Sequence, residues 1–358
     1  MRQPGRRPSA TKAFVSGCAG PRLDPDEIAF FADERPFGLI LFRRNCREPA
    51  EIRDLVAAFR AAVGRADAPV FIDQEGGRVQ RLQPPLWPAY PPAATLGRLA
   101  AHDAAAGTRA AWLHGRLIAA DLLDLGIDVD CLPVLDVAGA TTAAAIGDRS
   151  FGGDADSVAG LGRAVADGLI AGGVLPVMKH VPGHGRATVD SHLHLPVVDA
   201  DVEALARSDF LPFAKLSDLP MAMTAHVVFR AVDADRAATV SATVIRDIIR
   251  GRIGFNGLLL SDDVSMHALS GDYATRAATI YAAGCDIVLH CNGRTQEMRA
   301  VARAAPELTG AAAERAAGAL TARKTPARFD RDGAREEFLA LLSRAGWPAR
   351  GLSDESRS

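Results

Sequence analysis

Val174-Leu175-Pro176-Val177-Met178-Lys179-His180 is an apolar run that ends in two ionisable residues. It follows Ser157 to Gly172, where apolar residues recur at helical spacing and the pattern stops at a Gly-Gly pair. A helix with a glycine stop leading into a buried strand predicts one turn of an alternating α/β fold. Working outward, the same alternation covers nearly the whole chain. Strand-like runs occur at Ala13–Gly17, Phe37–Phe42, Pro69–Asp73, Ile127–Val134, Val174–His180, Leu219–Ala225, Gly257–Ser261 and Asp286–His290. Helical patterns fill the gaps, among them Pro49–Val63, Ala104–Leu125, Ser157–Gly172 and Val202–Leu216. Eight strands are the number that closes a parallel barrel. A doubly wound open sheet alternates in the same way, but it usually carries G-x-G-x-x-G after its first strand, and Gly17-Cys18-Ala19-Gly20 lacks that pattern. The expectation is an α/β chain forming a single-domain (β/α)8 TIM barrel over residues 13–345, with an N-terminal extension at 1–12 and a C-terminal tail at 346–358.

Composition narrows the class. With 358 residues, 48% hydrophobic and 23% charged, the chain has the make-up of a soluble globular enzyme of barrel size. The net charge is -2 and no basic stripe is interleaved with aromatics, so nucleic acid and anionic membrane surfaces are poor partners. Cys18, Cys46, Cys131, Cys285 and Cys291 are odd in number, scattered and without C-x-x-C spacing, which fits reduced thiols in a cytosol. Val15-Ser16-Gly17-Cys18 resembles a lipoprotein cleavage site behind a basic stretch. The apolar run before it is shorter than the roughly 7–15 residues of a signal-peptide core. A cytoplasmic monomer acting on a small molecule is expected.

Ionisable residues gather where the strands finish: Arg43 to Asn45, Asp73, Asp136, Lys179 with His180, His226 and Asp262. In a barrel these positions surround the C-terminal mouth, where active sites of this fold lie. Four segments carry the chemistry. Lys179-His180-Val181-Pro182-Gly183-His184-Gly185 runs on to Asp190-Ser191-His192-Leu193-His194, and its histidines raise the question of zinc. No H-E-x-x-H or His-x-Glu-x-His accompanies them, and Pro and Gly mark a loop, so no metal is expected. In Leu258-Leu259-Leu260-Ser261-Asp262-Asp263-Val264-Ser265-Met266 a buried strand meets two acids. Asp263 is expected to cap the following helix. Asp262 is not needed for that purpose and is a candidate nucleophile for a glycosyl intermediate. Asp73-Gln74-Glu75-Gly76-Gly77-Arg78-Val79-Gln80-Arg81 crowds acids and arginines around a tight turn, and a purely structural salt-bridge network is the plain alternative. Ile146-Gly147-Asp148-Arg149-Ser150-Phe151 is a short loop with one arginine in a polar setting, and alone it implies nothing.

In this order and spacing the four segments resemble the family 3 glycoside hydrolases, and among them the single-domain bacterial β-N-acetylhexosaminidases. The resemblance runs from about residue 13 to about residue 300. It also takes in Gly38-Leu39-Ile40-Leu41-Phe42 with Arg44-Asn45, Pro133-Val134-Leu135-Asp136-Val137, and Met223-Thr224-Ala225-His226. It implies one barrel with no second domain, no cofactor, and a retaining exo-hydrolase for terminal N-acetyl-β-D-glucosamine. The implied substrate is N-acetylglucosaminyl-1,6-anhydro-N-acetylmuramic acid or its peptide forms, in peptidoglycan recycling. It also implies Asp262 as nucleophile, His192 as acid/base with Asp190 as its partner, and Asp73, Arg81, Arg149, Lys179 and His180 as the groups that hold the sugar. Val181 stands where the family usually has an aromatic, and Arg186 where an acid is common.

The implied reaction is a double displacement in which Asp262 attacks the anomeric carbon and His192 first protonates the leaving oxygen, then activates water. Asp190, two residues before His192, would orient the imidazole as the acid of a Ser-His-Asp triad does. Four rivals stay open on the residues alone. The acetamido oxygen could be the nucleophile, with Asp262 and Asp263 as the acid pair. Phosphate could replace water at the same site, because a histidine does not repel it as a carboxylate would. The chain could instead be a metal-dependent barrel hydrolase, or a sugar-binding protein without catalysis.

Overall fold

The structure is a computed structural model that describes residues 10–139, 142–189 and 194–348. Eight parallel strands close into a barrel: β1 (Lys12–Ser16), β2 (Pro36–Leu41), β3 (Val70–Ile72), β4 (Val129–Asp130), β5 (Leu175–Val181), β6 (Met221–Thr224), β7 (Leu258–Asp263) and β8 (Ile287–His290). Each strand pairs with its neighbours in sequence, and β8 returns to β1 with Phe14 opposite Val288. All eight expected strands are present, so the chain is a single-domain (β/α)8 barrel.

Alternation along the strands builds two apolar layers. Val15, Ile40, Phe71, Val129, Val177, Met223, Leu260 and Leu289 fill the barrel interior. Their neighbours, including Phe14, Leu39, Leu41, Ile72, Met178, Leu259 and Val288, face outward and join the core shared with the helices. Residues at every second position share one face of a strand, which is why both sets are apolar and the strands read as continuous hydrophobic runs. Ala316 and Ala319, on the helix Gly310–Thr321, join the interior cluster, and their small side chains allow that helix to pack against it.

The helices over Pro49–Val63, Ala104–Leu123 and Ala155–Ala171 match their expected spans closely, and Asp103 and Asp154 cap the latter two. The expected helix at Val202–Leu216 is broken into Val202–Arg207 and Leu211–Lys215. Pro212 has no amide hydrogen and crowds the carbonyl four residues earlier, so it can open a new helix but not continue the old one. Asp209, in the break, is buried and accepts from Arg186 Nε at 2.7 Å. The Arg186 charge is therefore spent on the scaffold. Val181 is fully buried at the end of β5. No helix among the described residues is long and apolar enough to cross a membrane.

Candidate active site

The barrel mouth begins just beyond the interior apolar rows, three of which end in an ionisable residue. Two positions beyond Phe71 comes Asp73, two beyond Val177 comes Lys179, two beyond Leu260 comes Asp262, and two beyond Leu289 comes Cys291. These residues line a cavity of about 340 Å³, together with Phe42, Glu75, Arg81, Arg149, His180 and Asp263.

After β3 the chain makes a tight hairpin, Gln74–Gly76 against Val79–Gln80, that returns Arg81 to Asp73. Gly76 and Gly77 have φ of 99° and 57°, and a Cβ on Gly76 would lie 2.3 Å from the Pro91 carbonyl oxygen, so the turn needs glycine twice over. The Gln74 side chain closes it, accepting from the amides of Arg81 and Leu82 at 2.9 and 3.0 Å. Arg81 then donates to Asp73 Oδ2 at 2.9 Å. From across the barrel Lys179 Nζ donates to Asp73 Oδ1 at 2.7 Å and approaches Glu75 Oε1 at 2.6 Å. Arg149 forks onto both oxygens of Glu75, each bond 2.8 Å long. His114 Nε2 lies 2.9 Å from the Glu75 carbonyl, which can only accept, so Nε2 carries the proton. Burial lowers the His114 pKa to about 4 against that hydrogen bond, and the ring is neutral at physiological pH.

This network is ionised throughout at neutral pH. Burial pushes the Asp73 carboxyl up, but Lys179 and Arg81 outweigh it and hold it well below the usual range. Glu75 is likewise held at about 2 by Arg149 and Lys179 against its burial. Lys179 is raised above an ordinary lysine, the two carboxylates overcoming its desolvation. Two anions and three cations thus form a preorganised, hydrogen-bonding rim of net positive charge. Such a rim suits a neutral polyhydroxylated ligand with an amide carbonyl, to which fixed donors cost no reorganisation.

His180 sits beside Lys179 and donates from Nδ1 to Asp136 Oδ2 at 2.7 Å. Asp136 is fully buried, and its Oδ1 also accepts from the amides of His184 at 2.7 Å and His180 at 3.3 Å. Burial raises its carboxyl, but the two histidines and these hydrogen bonds bring it down to about 2. The carboxylate fixes the ring's orientation, as a buried acid does for a catalytic imidazole.

Asp262 stands in a β-bulge. The register of β7 with β8 moves from Leu260 opposite Ile287 to Asp263 opposite Leu289, which leaves one extra residue on β7. The Leu289 amide is satisfied by Ser261 Oγ at 3.0 Å. A bulge re-aims side chains, and here it lets two consecutive acids line the cavity. Asp262 Oδ1 accepts from the Asp263 amide at 2.8 Å. Asp263 does not cap a helix as expected, because the next helix, Tyr273–Ala283, is capped by Asp272. Its carboxylate accepts instead from the amides of Ser265 at 3.0 Å and Cys291 at 3.2 Å.

Asp73, Arg81, Arg149, Lys179, His180 and Asp262, all singled out from the sequence, therefore share one cavity. Asp190 and His192 lie outside the described residues. Glu75 and Asp136 received no role from the sequence. The signal for Glu75 was its place two residues after Asp73, and for Asp136 its place just beyond a strand. Among the described residues no cluster of three or more His, Cys, Asp or Glu could hold a metal ion. A larger cavity, about 1130 Å³, lies at the opposite end of the barrel, and there Arg163 pairs with Asp218 and Arg315 with Asp286.

Residues 24–319 match the glycosyl hydrolase family 3 N-terminal domain. The chain is 41% identical over 278 residues to a beta-hexosaminidase of Methylococcus capsulatus, an alignment covering 76% of this chain and 80% of that one. It is 38% identical over 284 residues to a beta-hexosaminidase of Xylella fastidiosa, covering 78% and 83%. Among solved structures, NagZ from Neisseria gonorrhoeae in complex with N-trifluoroacetyl-D-glucosamine superposes with a TM-score of 0.81 at 32% identity, covering 94% of this chain and 97% of that one.

Proposed function

The chain belongs to glycosyl hydrolase family 3, and from that membership we propose that it is an exo-acting, retaining β-N-acetylhexosaminidase that removes terminal N-acetyl-β-D-glucosamine. The observation that carries the reading is the sharing of one cavity by a bulge-mounted carboxylate, Asp262, and the fixed donor rim of Arg81, Arg149, Lys179 and His180. The Methylococcus and Xylella relatives are beta-hexosaminidases, and the Neisseria protein holds an N-acylglucosamine, which supports an amino sugar as the ligand.

In this reading Asp73, Arg81, Arg149, Lys179 and His180 bind the hydroxyls and acetamido group of the terminal sugar and present its anomeric carbon to Asp262. Attack by an Asp262 oxygen breaks the glycosidic bond and forms a glycosyl ester, while His192 gives its proton to the departing oxygen. His192, held by Asp190, then takes a proton from water, which attacks the same carbon and releases Asp262 as the carboxylate. The natural substrate is N-acetylglucosaminyl-1,6-anhydro-N-acetylmuramic acid or its peptide-bearing forms, cleaved in the cytoplasm during peptidoglycan recycling.

The test is hydrolysis of p-nitrophenyl N-acetyl-β-D-glucosaminide with EDTA present, beside Asp262→Ala and His192→Ala. Wild-type turnover that both substitutions depress by orders of magnitude supports the reading. Activity indifferent to Asp262, or an α-configured first product, overturns it.

A further inference from the structure

We propose that His226 is a positioning residue for the nucleophile, holding the backbone on which the Asp262 carboxylate rests. The inference depends on the reading of Asp262 as nucleophile.

The ladder between β6 and β7 runs Leu258 to Met221, Leu259 to Ala222 and Leu260 to Met223, and there it ends. Continued by three residues, the same register sets His226 opposite Asp263. At that level the bond between the two segments is made by a side chain. His226 Nε2 lies 3.0 Å from the Asp263 carbonyl oxygen. The Asp263 carbonyl also accepts from the Met266 amide at 3.1 Å, within its own turn, and the imidazole adds a second donor that ties it to the β6 segment where the backbone ladder has stopped.

The direction of that bond is set by chemistry. A carbonyl can only accept, so Nε2 carries the hydrogen. Nδ1 lies 2.8 Å from Thr239 Oγ1, which itself lies 2.8 Å from Thr224 Oγ1 and 3.0 Å from the Ala225 carbonyl. A neutral ring accepts at Nδ1 from Thr239, whose oxygen accepts from Thr224. A charged ring donates to Thr239, which donates to Ala225. Either arrangement leaves Nε2–H on Asp263. His226, Thr224 and Thr239 are all fully buried, so the contacts among these three side chains are shielded from solvent.

On its other side Asp263 is tied to the barrel by the Cys291 amide at 3.2 Å. The residue is thus gripped from the β6 side by His226 and from the β8 side by Cys291, and its own amide donates to Asp262 Oδ1 at 2.8 Å. Loosening the His226 grip lets the 262–263 segment shift and moves the attacking oxygen relative to a sugar that is held elsewhere, by groups that follow β3 and β4 and end β5. Misplacement by about 1 Å costs on the order of 100-fold in rate when geometry is the main contribution.

The experiment compares His226→Asn, whose amide can reach Thr239 but not Asp263, with His226→Gln, whose amide nitrogen falls near the Nε2 position. Readouts are kcat, the inhibition constant of N-acetylglucosamine, thermal unfolding, and the rate at which a slow fluorinated N-acetylglucosaminyl donor adds covalently to the protein by intact mass. The Asn variant should lose about 10- to 100-fold in kcat and in adduct formation with the inhibition constant unchanged, and the Gln variant should recover most of that loss. Thr239→Val, which removes the anchor at Nδ1, should give a smaller loss of the same kind and serves if the Asn variant does not fold. Folded variants with wild-type adduct rates overturn the inference, as does an equal loss in Asn and Gln accompanied by weaker sugar binding. No adduct on the wild type, or full activity in Asp262→Ala, overturns instead the assignment of Asp262.

Discussion

Lys179 Nζ and Glu75 Oε1 meet at 2.6 Å with 2% and 5% of their side chains exposed, although the two residues stand 104 positions apart in the sequence. The contact joins the end of β5 to the hairpin after β3, and through the Glu75 fork it reaches Arg149 as well. Glu75 is thereby the keystone of the rim without belonging to the set proposed to hold the sugar.

Glu75→Gln should be costly for that reason. Gln keeps the volume but removes the charge that compensates two buried cations, and breaking a buried pair from one side typically costs about 3–5 kcal/mol. We expect a marked fall in stability by urea unfolding and at least a tenfold loss in kcat/KM. A wild-type midpoint in the Gln variant would contradict the keystone role.

Acid should unfold the protein over a defined window. Asp73, Glu75 and Asp136 have folded pKa values below those of an unfolded chain, with Glu75 and Asp136 at about 2. Groups depressed in this way stabilise fully above the unfolded value of about 4 and lose that contribution as pH falls toward the folded one. The melting temperature should hold above about pH 5 and drop steeply between about pH 4 and pH 2. Glu75→Gln should show a shallower drop, measured by melting across that range.

Asp130 behaves in the opposite sense. Its Oδ1 accepts from the Gln74 amide at 3.0 Å, while Oδ2 is buried with no partner among the described residues. Burial raises its pKa well above the usual value, outweighing the Gln74 hydrogen bond. A raised carboxyl stabilises fully below the unfolded pKa and loses that contribution as pH rises, so Asp130→Asn removes a liability at neutral pH. The Asn variant should melt above wild type at pH 7 and close to it at pH 4. A lower melting temperature at both would refute the account.

Asp136→Asn tests the orientation of His180. The amide can accept from His184 N–H or from His180 Nδ1–H, but its NH2 group then opposes whichever partner remains. We expect kcat/KM to fall by at least tenfold with a thermal transition still cooperative, read by steady-state kinetics beside calorimetry.

Much of the barrel was legible in the residues themselves. Val174 to Met178 and Leu258 to Leu260 are apolar because a parallel strand inside a ring of helices is covered on both faces, and that is a local property of the strand. The polar residue that ends three of the interior rows, Asp73, Lys179 or Asp262, is equally local, because alternation alone assigns it to the mouth. The break at Ser208 was hidden because spaced apolar residues continue across it, and only Pro212 marks it. Asp263 read as a cap because two acids after a strand commonly precede a helix, whereas here the helix begins ten positions later, at Tyr273.

From the sequence came the eight strands, the place of the mouth and six of the residues that line its cavity, since periodicity and chain order need no knowledge of distant contacts. Tertiary structure alone decided that Glu75 bridges Lys179 and Arg149, that Asp136 holds His180, and that His226 takes over the ladder at Asp263. Those pairings join segments tens of residues apart, and barrel closure brings their polar ends within hydrogen-bond reach while excluding the water that would otherwise satisfy them.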